Sequence, residues 1–166
     1  MDFNFKIDAY EYGKLLEKEN ELGNQGKSLR QENFKEYRKL IIYDQIFLGE
    51  LIYDPKYKYM YQYNSLIQKY LNNFINESEF IKNFSQLFSN NRETMAMVKW
   101  AILEEGVRRP DRFPVIPSQA RLFVILLEEI EKITESSKPS SSLTSVEFRS
   151  SIKEIYAKMQ NLLKEE

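Results

Sequence analysis

Apolar side chains recur at steps of three and four along most of this chain, with Lys, Arg, Glu, Asn and Gln filling the positions between them. That spacing gathers an apolar stripe on one side of a helix. Leu15, Leu16 and Leu22 carry such a stripe to Gly23, which predicts a first helix over about residues 9–22. A second, longer helix runs from Phe34 through Tyr37, Leu40, Ile41, Phe47, Leu48 and Leu51, with Gly49 weakening its end. Tyrosines at 57, 59, 61 and 63 alternate as a strand would. The longer window decides against a strand, because Tyr59, Tyr63, Leu66, Ile67, Tyr70 and Phe74 keep helical spacing and predict a helix over about 56–73. Phe80, Phe84, Leu87 and Phe88 mark the next helix, which the turn-forming "SNN" ends. The segment "ETMAMVKWAILEEG" (93–106) is apolar around most of its circumference, as befits a separate helix buried on more than one side, with Trp100 in the core. Leu122, Phe123, Leu126, Leu127, Ile130 and Ile133 define another helix, and Ile152, Ile155, Tyr156, Met159, Leu162 and Leu163 the last. The pattern predicts an all-α antiparallel bundle of about six helices joined by short loops.

The helix starts repeat one motif. A small polar residue accepts a hydrogen bond from the backbone N–H three positions on, a Glu or Gln there reaches back, and flanking apolar residues close a staple. Asn76 and Glu79 form this box between Ile75 and Phe80, Thr144 and Glu147 form it between Leu143 and Phe148, and Asp8 and Glu11 form it between Ile7 and Tyr12. Ser28 and Gln31 make a version without the staple, because Lys27 precedes it. Ser118 caps the helix that follows it, and Asp54-Pro55 stops one helix and opens the next. Each cap contributes about 1 kcal/mol, so these sites set where helices begin without creating the fold. Glu79 and Glu147 therefore read as structural and not catalytic residues. Between the helices, "VRRPDRFPVIPS" holds three prolines and predicts an irregular connection, and "TESSKPSSS" predicts a flexible surface loop.

Composition narrows the chemistry. At 166 residues the chain suits a single domain able to bury its own core. It has no Cys and no His, which removes disulfides, thiolate sites, the commonest metal ligand and the usual neutral-pH acid–base group. There is no phosphate loop, dinucleotide turn or calcium-loop spacing, so a non-enzymatic protein without cofactor or metal is expected. The formal net charge of −1 is spread evenly, with no block that announces a nucleic-acid or membrane surface. No apolar run nears membrane-spanning length and the N-terminus lacks a leader pattern, so a soluble, intracellular protein is expected. The abundance of Asn, Lys, Ile, Tyr and Phe fits an AT-rich bacterial or organellar genome.

Three groups of residues are candidates for function. Glu128, Glu131 and Glu135 are spaced by three and four on the side opposite Leu126 and Ile130, either a solvated face or a stripe for a basic partner. With Tyr59 and Tyr63 on the buried side of their helix, Tyr57 and Tyr61 are left for an interface. Their neighbours Lys56 and Lys58 keep open a second class, single-stranded nucleic-acid binding by stacking, which two lysines support less well than packing or protein binding. Arg108, Arg109 and Arg112 cluster in the proline-rich connection, where bonding to helix C-terminal carbonyls is as good a reading as anion binding.

The segment "LIQKYLNNFINESEFIKNFSQLF" and the later "LFVILLEEIEKITESSKPSSSLTSVEFRSSIKEIYAKM" resemble the two halves of the colicin D-type immunity family, over about residues 60–88 and 118–160. The resemblance implies a compact antiparallel helical bundle in the cytoplasm that binds a cognate ribonuclease toxin and blocks its substrate site with acidic side chains. Glu128, Glu131 and Glu135 are then the first candidates for contacts. Related reading frames in algal plastid genomes make the plastid stroma, and a structural subunit of an organellar complex, the alternatives. On this alignment residues 1–55 are an N-terminal helical extension, and 56–166 an immunity-like bundle with an inserted helix and proline-rich loop. The near-neutral charge departs from what a substrate-mimicking inhibitor would show.

Overall fold

A computed structural model describes residues 4–6, 9–108, 115–136 and 144–164, and helix dominates them. In chain order the elements are β1 (Asn4–Lys6), α1 (Ala9–Asn24), α2 (Leu29–Glu32), α3 (Phe34–Tyr53), α4 (Tyr59–Leu71), α5 (Glu77–Arg108), β2 (Val115–Pro117), α6 (Ser118–Ser136) and α7 (Ser145–Lys164). The fold is an all-α helical bundle. Its seven described helices include one single turn, α2. β1 and β2 form a short antiparallel ribbon with Phe5 opposite Ile116, so the end of the connection expected to be irregular is paired. No described helix is long and apolar enough to cross a membrane.

Two apolar cores meet along α3. The larger gathers Leu48, Leu51 and Ile52 of α3 with Tyr63, Ile67 and Tyr70 of α4, Phe80, Phe84 and Phe88 of α5, Phe123, Leu127 and Ile130 of α6, and Phe148, Ile152 and Met159 of α7. Phe80, Phe84 and Phe88 stack up one face of α5 with centroids 6.0 and 5.8 Å apart. Tyr70 and Phe148 close on Phe80 at 4.8 and 6.1 Å. Such pairs add to what their buried area alone contributes. The smaller core joins Tyr12, Leu15 and Leu16 of α1 to Leu29 of α2, Leu40, Tyr43 and Ile46 of α3, and Ala120 of α6. Tyr53 packs against both, so α3 is shared framework and the chain before residue 55 does not hang from the bundle as an appendage.

Gly49 explains how α3 and α6 come so close. A Cβ there would overlap the carbonyl oxygen of Ala120 and lie 2.6 Å from its carbonyl carbon and 2.9 Å from its Cβ. The residue that weakened the predicted helix is the one that lets the crossing form.

Several boundaries differ from the pattern reading. The helices expected at 76–88 and 93–106 are one continuous α5. "SNN" does not break it, because Asn91 is fully buried and its Oδ1 accepts a hydrogen bond from the Tyr63 hydroxyl, an attachment that outweighs the turn preference of Asn. Helix α1 passes through Gly23 and ends at Asn24. Gly26, at φ 72°, takes the left-handed position, with the Lys27 N–H on the Leu22 carbonyl at 2.8 Å and the Gly26 N–H on the Gly23 carbonyl at 3.0 Å. Asn73, at φ 63°, ends α4 in the same way, and turns Phe74 off the helix path. Phe74 is therefore 79% exposed, not part of the buried stripe. Phe34, Ile41 and Leu122 are likewise exposed members of their predicted stripes.

Asp54 ends α3, and its Oδ1 accepts the Lys56 N–H at 2.9 Å. It does not cap α4, which starts only at Tyr59, after Lys58 in the left-handed region. Ser28 caps α2 alone, and Asn33, unnoticed in the sequence, caps α3 by accepting the Glu36 N–H at 3.2 Å. The caps at Asn76 and Thr144 form, accepting the N–H of Glu79 at 2.9 Å and of Glu147 at 3.2 Å, but the return bonds expected from the two glutamate side chains do not form among the described residues. Ile7, Asp8, Arg109, Arg112, Leu143 and the serine-rich loop over 137–143 lie outside the described residues, as does the side chain of Trp100.

Candidate functional site

The acidic stripe on α6 is largely engaged within the fold. Glu131 accepts both guanidinium nitrogens of Arg92 on α5, at 2.7 and 3.1 Å, and that guanidinium also lies 4.1 Å from the Phe88 ring centroid. Bidentate pairing plus stacking fixes Arg92 in place. Glu128 accepts from the Gln45 amide on α3 at 3.1 Å, while the same amide's oxygen accepts from Arg121 Nε at 3.0 Å. Glu135 is exposed. Two of the three carboxylates thus tie α6 to its neighbours.

The tyrosines divide. Tyr57 is half-buried and stacks on Tyr59 with centroids 5.6 Å apart and planes 3° from parallel, while the Lys56 ammonium stands 5.4 Å from the Tyr57 centroid. Tyr59 in turn shares a hydrogen bond with Thr94 at 3.3 Å. Tyr61 is 72% exposed and stands at an open groove of about 320 Å³ between α4 and α5. Gln62, Ser65, Leu66 and Lys69 from α4, Ile75 from the turn, and Asn83 and Leu87 from α5 complete the lining. Tyr57 does not line it. The structure therefore does not bring the two tyrosines and the acidic stripe into one site. The groove escaped the sequence reading because Leu66 and Leu87 share the helical spacing of the core. Both are packed against the larger core yet stay partly exposed at the groove, a distinction that periodicity does not encode.

A cluster of titratable side chains joins α1, α3 and α5. The Tyr12 hydroxyl, fully buried, donates to Asp44 Oδ1, and Lys99 Nζ donates to the same oxygen at 3.2 Å. Burial and the Asp44 carboxylate hold the Tyr12 phenol far above its ordinary value, so it stays a donor. Beside it the Glu11 carboxylate takes Lys39 Nζ at 2.6 Å and the Tyr43 hydroxyl at 2.7 Å. These bonds, led by that from Lys39, lower the Glu11 pKa. Both carboxylates are thereby committed to joining helices. Among the described residues no three carboxylates converge to hold a metal ion.

Arg149 of α7 serves the end of α4. Its guanidinium reaches the carbonyls of Tyr70, at 3.4 Å, and Leu71, at 2.5 Å, and lies 5.1 Å from the Tyr70 centroid. The Tyr70 carbonyl also accepts the Asn73 N–H at 3.1 Å, and the guanidinium adds a cation at the negative end of the helix dipole.

No family model, characterised protein or solved structure matches this chain. The resemblance to the colicin D-type immunity family therefore rests on the residues quoted for it.

Proposed function

We propose that this chain is a non-catalytic protein-binding module whose contact surface is the α4–α5 groove. The observation that carries this reading is Tyr61, a large aromatic side chain 72% exposed beside the half-buried Leu66, Ile75 and Leu87. An exposed aromatic anchor next to an apolar trough is the composition from which protein interfaces draw most of their energy. The stacked Tyr57 and Tyr59 faces cover each other and Tyr63 is buried, so Tyr61 is the one exposed ring of this run, and a single ring is a poor track for successive bases, which weighs against the nucleic-acid alternative. The family resemblance gives the reading a specific form, an inhibitor of a ribonuclease toxin. In that form the groove, and not the acidic stripe, supplies the anchor, because Glu128 and Glu131 already hold Gln45 and Arg92.

A photocrosslinking residue in place of Tyr61 tests the proposal in the producing cell, with the same residue in place of Lys153 as control. One polypeptide captured at position 61 and not at 153, and lost when Leu87→Glu is added, is the expected result. Ribonuclease activity in that polypeptide, suppressed by adding the chain, selects the inhibitor form. Capture of RNA alone, or identical capture at both positions, overturns the protein-binding reading.

A further inference from the structure

A second concavity lies at the opposite side of the sequence, between α1 and the start of α3. It is a cleft of about 450 Å³ lined by Glu11, Lys14, Leu15 and Lys18 of α1, by Asn33, and by Lys35, Glu36 and Lys39 of α3. Four ammonium groups face two carboxylates. Both carboxylates are already matched across the cleft: Glu36 pairs with Lys18 at 2.9 Å, and Glu11 with Lys39 at 2.6 Å. The second Glu11 oxygen is taken by the Tyr43 hydroxyl at 2.7 Å.

What remains is donor chemistry. Lys35 has no carboxylate within ion-pair distance among the described residues, and Lys14 meets only Glu17, at 3.7 Å on the open surface, and the exposed Tyr10 ring, 5.5 Å from its centroid, contacts that are worth little there. Asn33 uses its side-chain oxygen to cap α3, so its amide nitrogen is the polar group left to a ligand. The floor at Leu15 is apolar and buried. A wall with two surplus ammonium groups, an amide donor and no unpaired carboxylate selects an anion of at least two charges. Lysines, as compact mobile point charges, suit phosphate oxygens that need no fixed fork geometry.

We propose that the α1–α3 cleft binds a small ligand bearing two or more phosphate charges, held by Lys14, Lys35 and Asn33. This site is independent of the groove assigned to protein binding. Inorganic pyrophosphate is the probe, titrated calorimetrically and by thermal unfolding against sodium chloride at matched ionic strength. Saturable heat and a rise in Tm beyond that in chloride are expected, since a ligand of the folded state stabilises it. Lys35→Glu should weaken binding by about tenfold or more, the scale of one charge reversed near a surface anion. Lys153→Glu on α7, with the same change in net charge, should leave it unaltered. Both lysines are exposed, so the variants keep the fold, and circular dichroism checks this. A nucleoside diphosphate run in parallel places the recognition: affinity equal to pyrophosphate assigns it to the phosphates, and tighter binding adds a contact to the nucleoside. Pyrophosphate no better than chloride, or equal weakening by Lys35→Glu and Lys153→Glu, overturns the proposal.

Discussion

Replacing Tyr63 by Phe deletes one hydroxyl from the middle of the larger core, and the structure fixes what that deletion does. Tyr63 and Asn91 are both fully buried, and the phenol donates to Asn91 Oδ1 across the α4–α5 interface. Burial raises the Tyr63 pKa well above the ordinary phenol value, so the group is a donor throughout the accessible pH range. The Asn91 Nδ2 has no hydrogen-bond partner among the described residues. Tyr63→Phe therefore strands the remaining half of a buried amide and should cost about 1–3 kcal/mol. Asn91→Leu strands the phenol instead, with a cost in the same range of about 1–3 kcal/mol. The double variant removes donor and acceptor together, along with the unpaired amide nitrogen, and fills the space with apolar atoms. It should lie within about 1 kcal/mol of the parent or above it, because replacing both members of a buried polar pair is close to neutral. The coupling in this cycle, the sum of the two single costs less that of the double variant, is then about 1–6 kcal/mol. Urea unfolding followed by circular dichroism measures all four proteins, and equal m-values license the comparison. Additive single-variant costs, leaving the double variant as the least stable of the four, would refute the argument, as would a Tyr63→Phe protein with parental stability.

Gly49→Ala sets two effects against each other. Better helix propensity favours it by about 1 kcal/mol, whereas overlap with the Ala120 carbonyl costs about 1–3 kcal/mol or more because backbone must shift. A net fall in Tm of several degrees is expected by calorimetry, on the scale of about 2–4 °C per kcal/mol for a chain of this size, and an unchanged or raised Tm would show that α3 and α6 do not cross so closely. The carboxylates predict opposite pH signatures. The Glu11 pKa is lowered by Lys39 and Tyr43, so its contribution is present above the unfolded carboxylate range and lost as pH falls through the lower folded value; Glu11→Gln should destabilise at pH 7 and converge on the parent in acid. The Glu50 pKa is raised by burial and by Asp54, so its ionised form costs stability; Glu50→Gln should stabilise at pH 7, with the gain vanishing as pH drops below the raised folded value. Denaturation midpoints from pH 3 to 8 distinguish the two, and parallel curves for either variant would sink the corresponding assignment.

What the chain announces and what it conceals follow from the range over which each interaction acts. The starts of α5 and α7 were legible because Asn76 and Thr144 meet N–H groups only three residues away, a distance the sequence writes directly. The stop at Gly26 was legible in kind and missed in position: the turn cluster held two glycines, and only hydrogen bonding to Leu22 and Gly23 selects between them. "SNN" misled for the opposite reason. Its turn preference is local, and it is overruled by Tyr63, 28 residues earlier in the chain. The acidic stripe shows the same limit at the level of function. Spacing placed Glu128, Glu131 and Glu135 correctly along one helix, yet their availability depends on Gln45 and Arg92, which lie 83 and 39 residues away. Charges that periodicity reads as outward-facing are outward only until another helix brings a partner. The α4–α5 groove is the converse case, in which leucines spaced for a core remain partly open. The electrostatic character of the α1–α3 cleft belongs with these long-range properties: acidic and basic residues interleave along α1 and α3 in sequence, and only the fold selects the four lysines and two glutamates of the cleft and shows which ammonium groups their pairing leaves over.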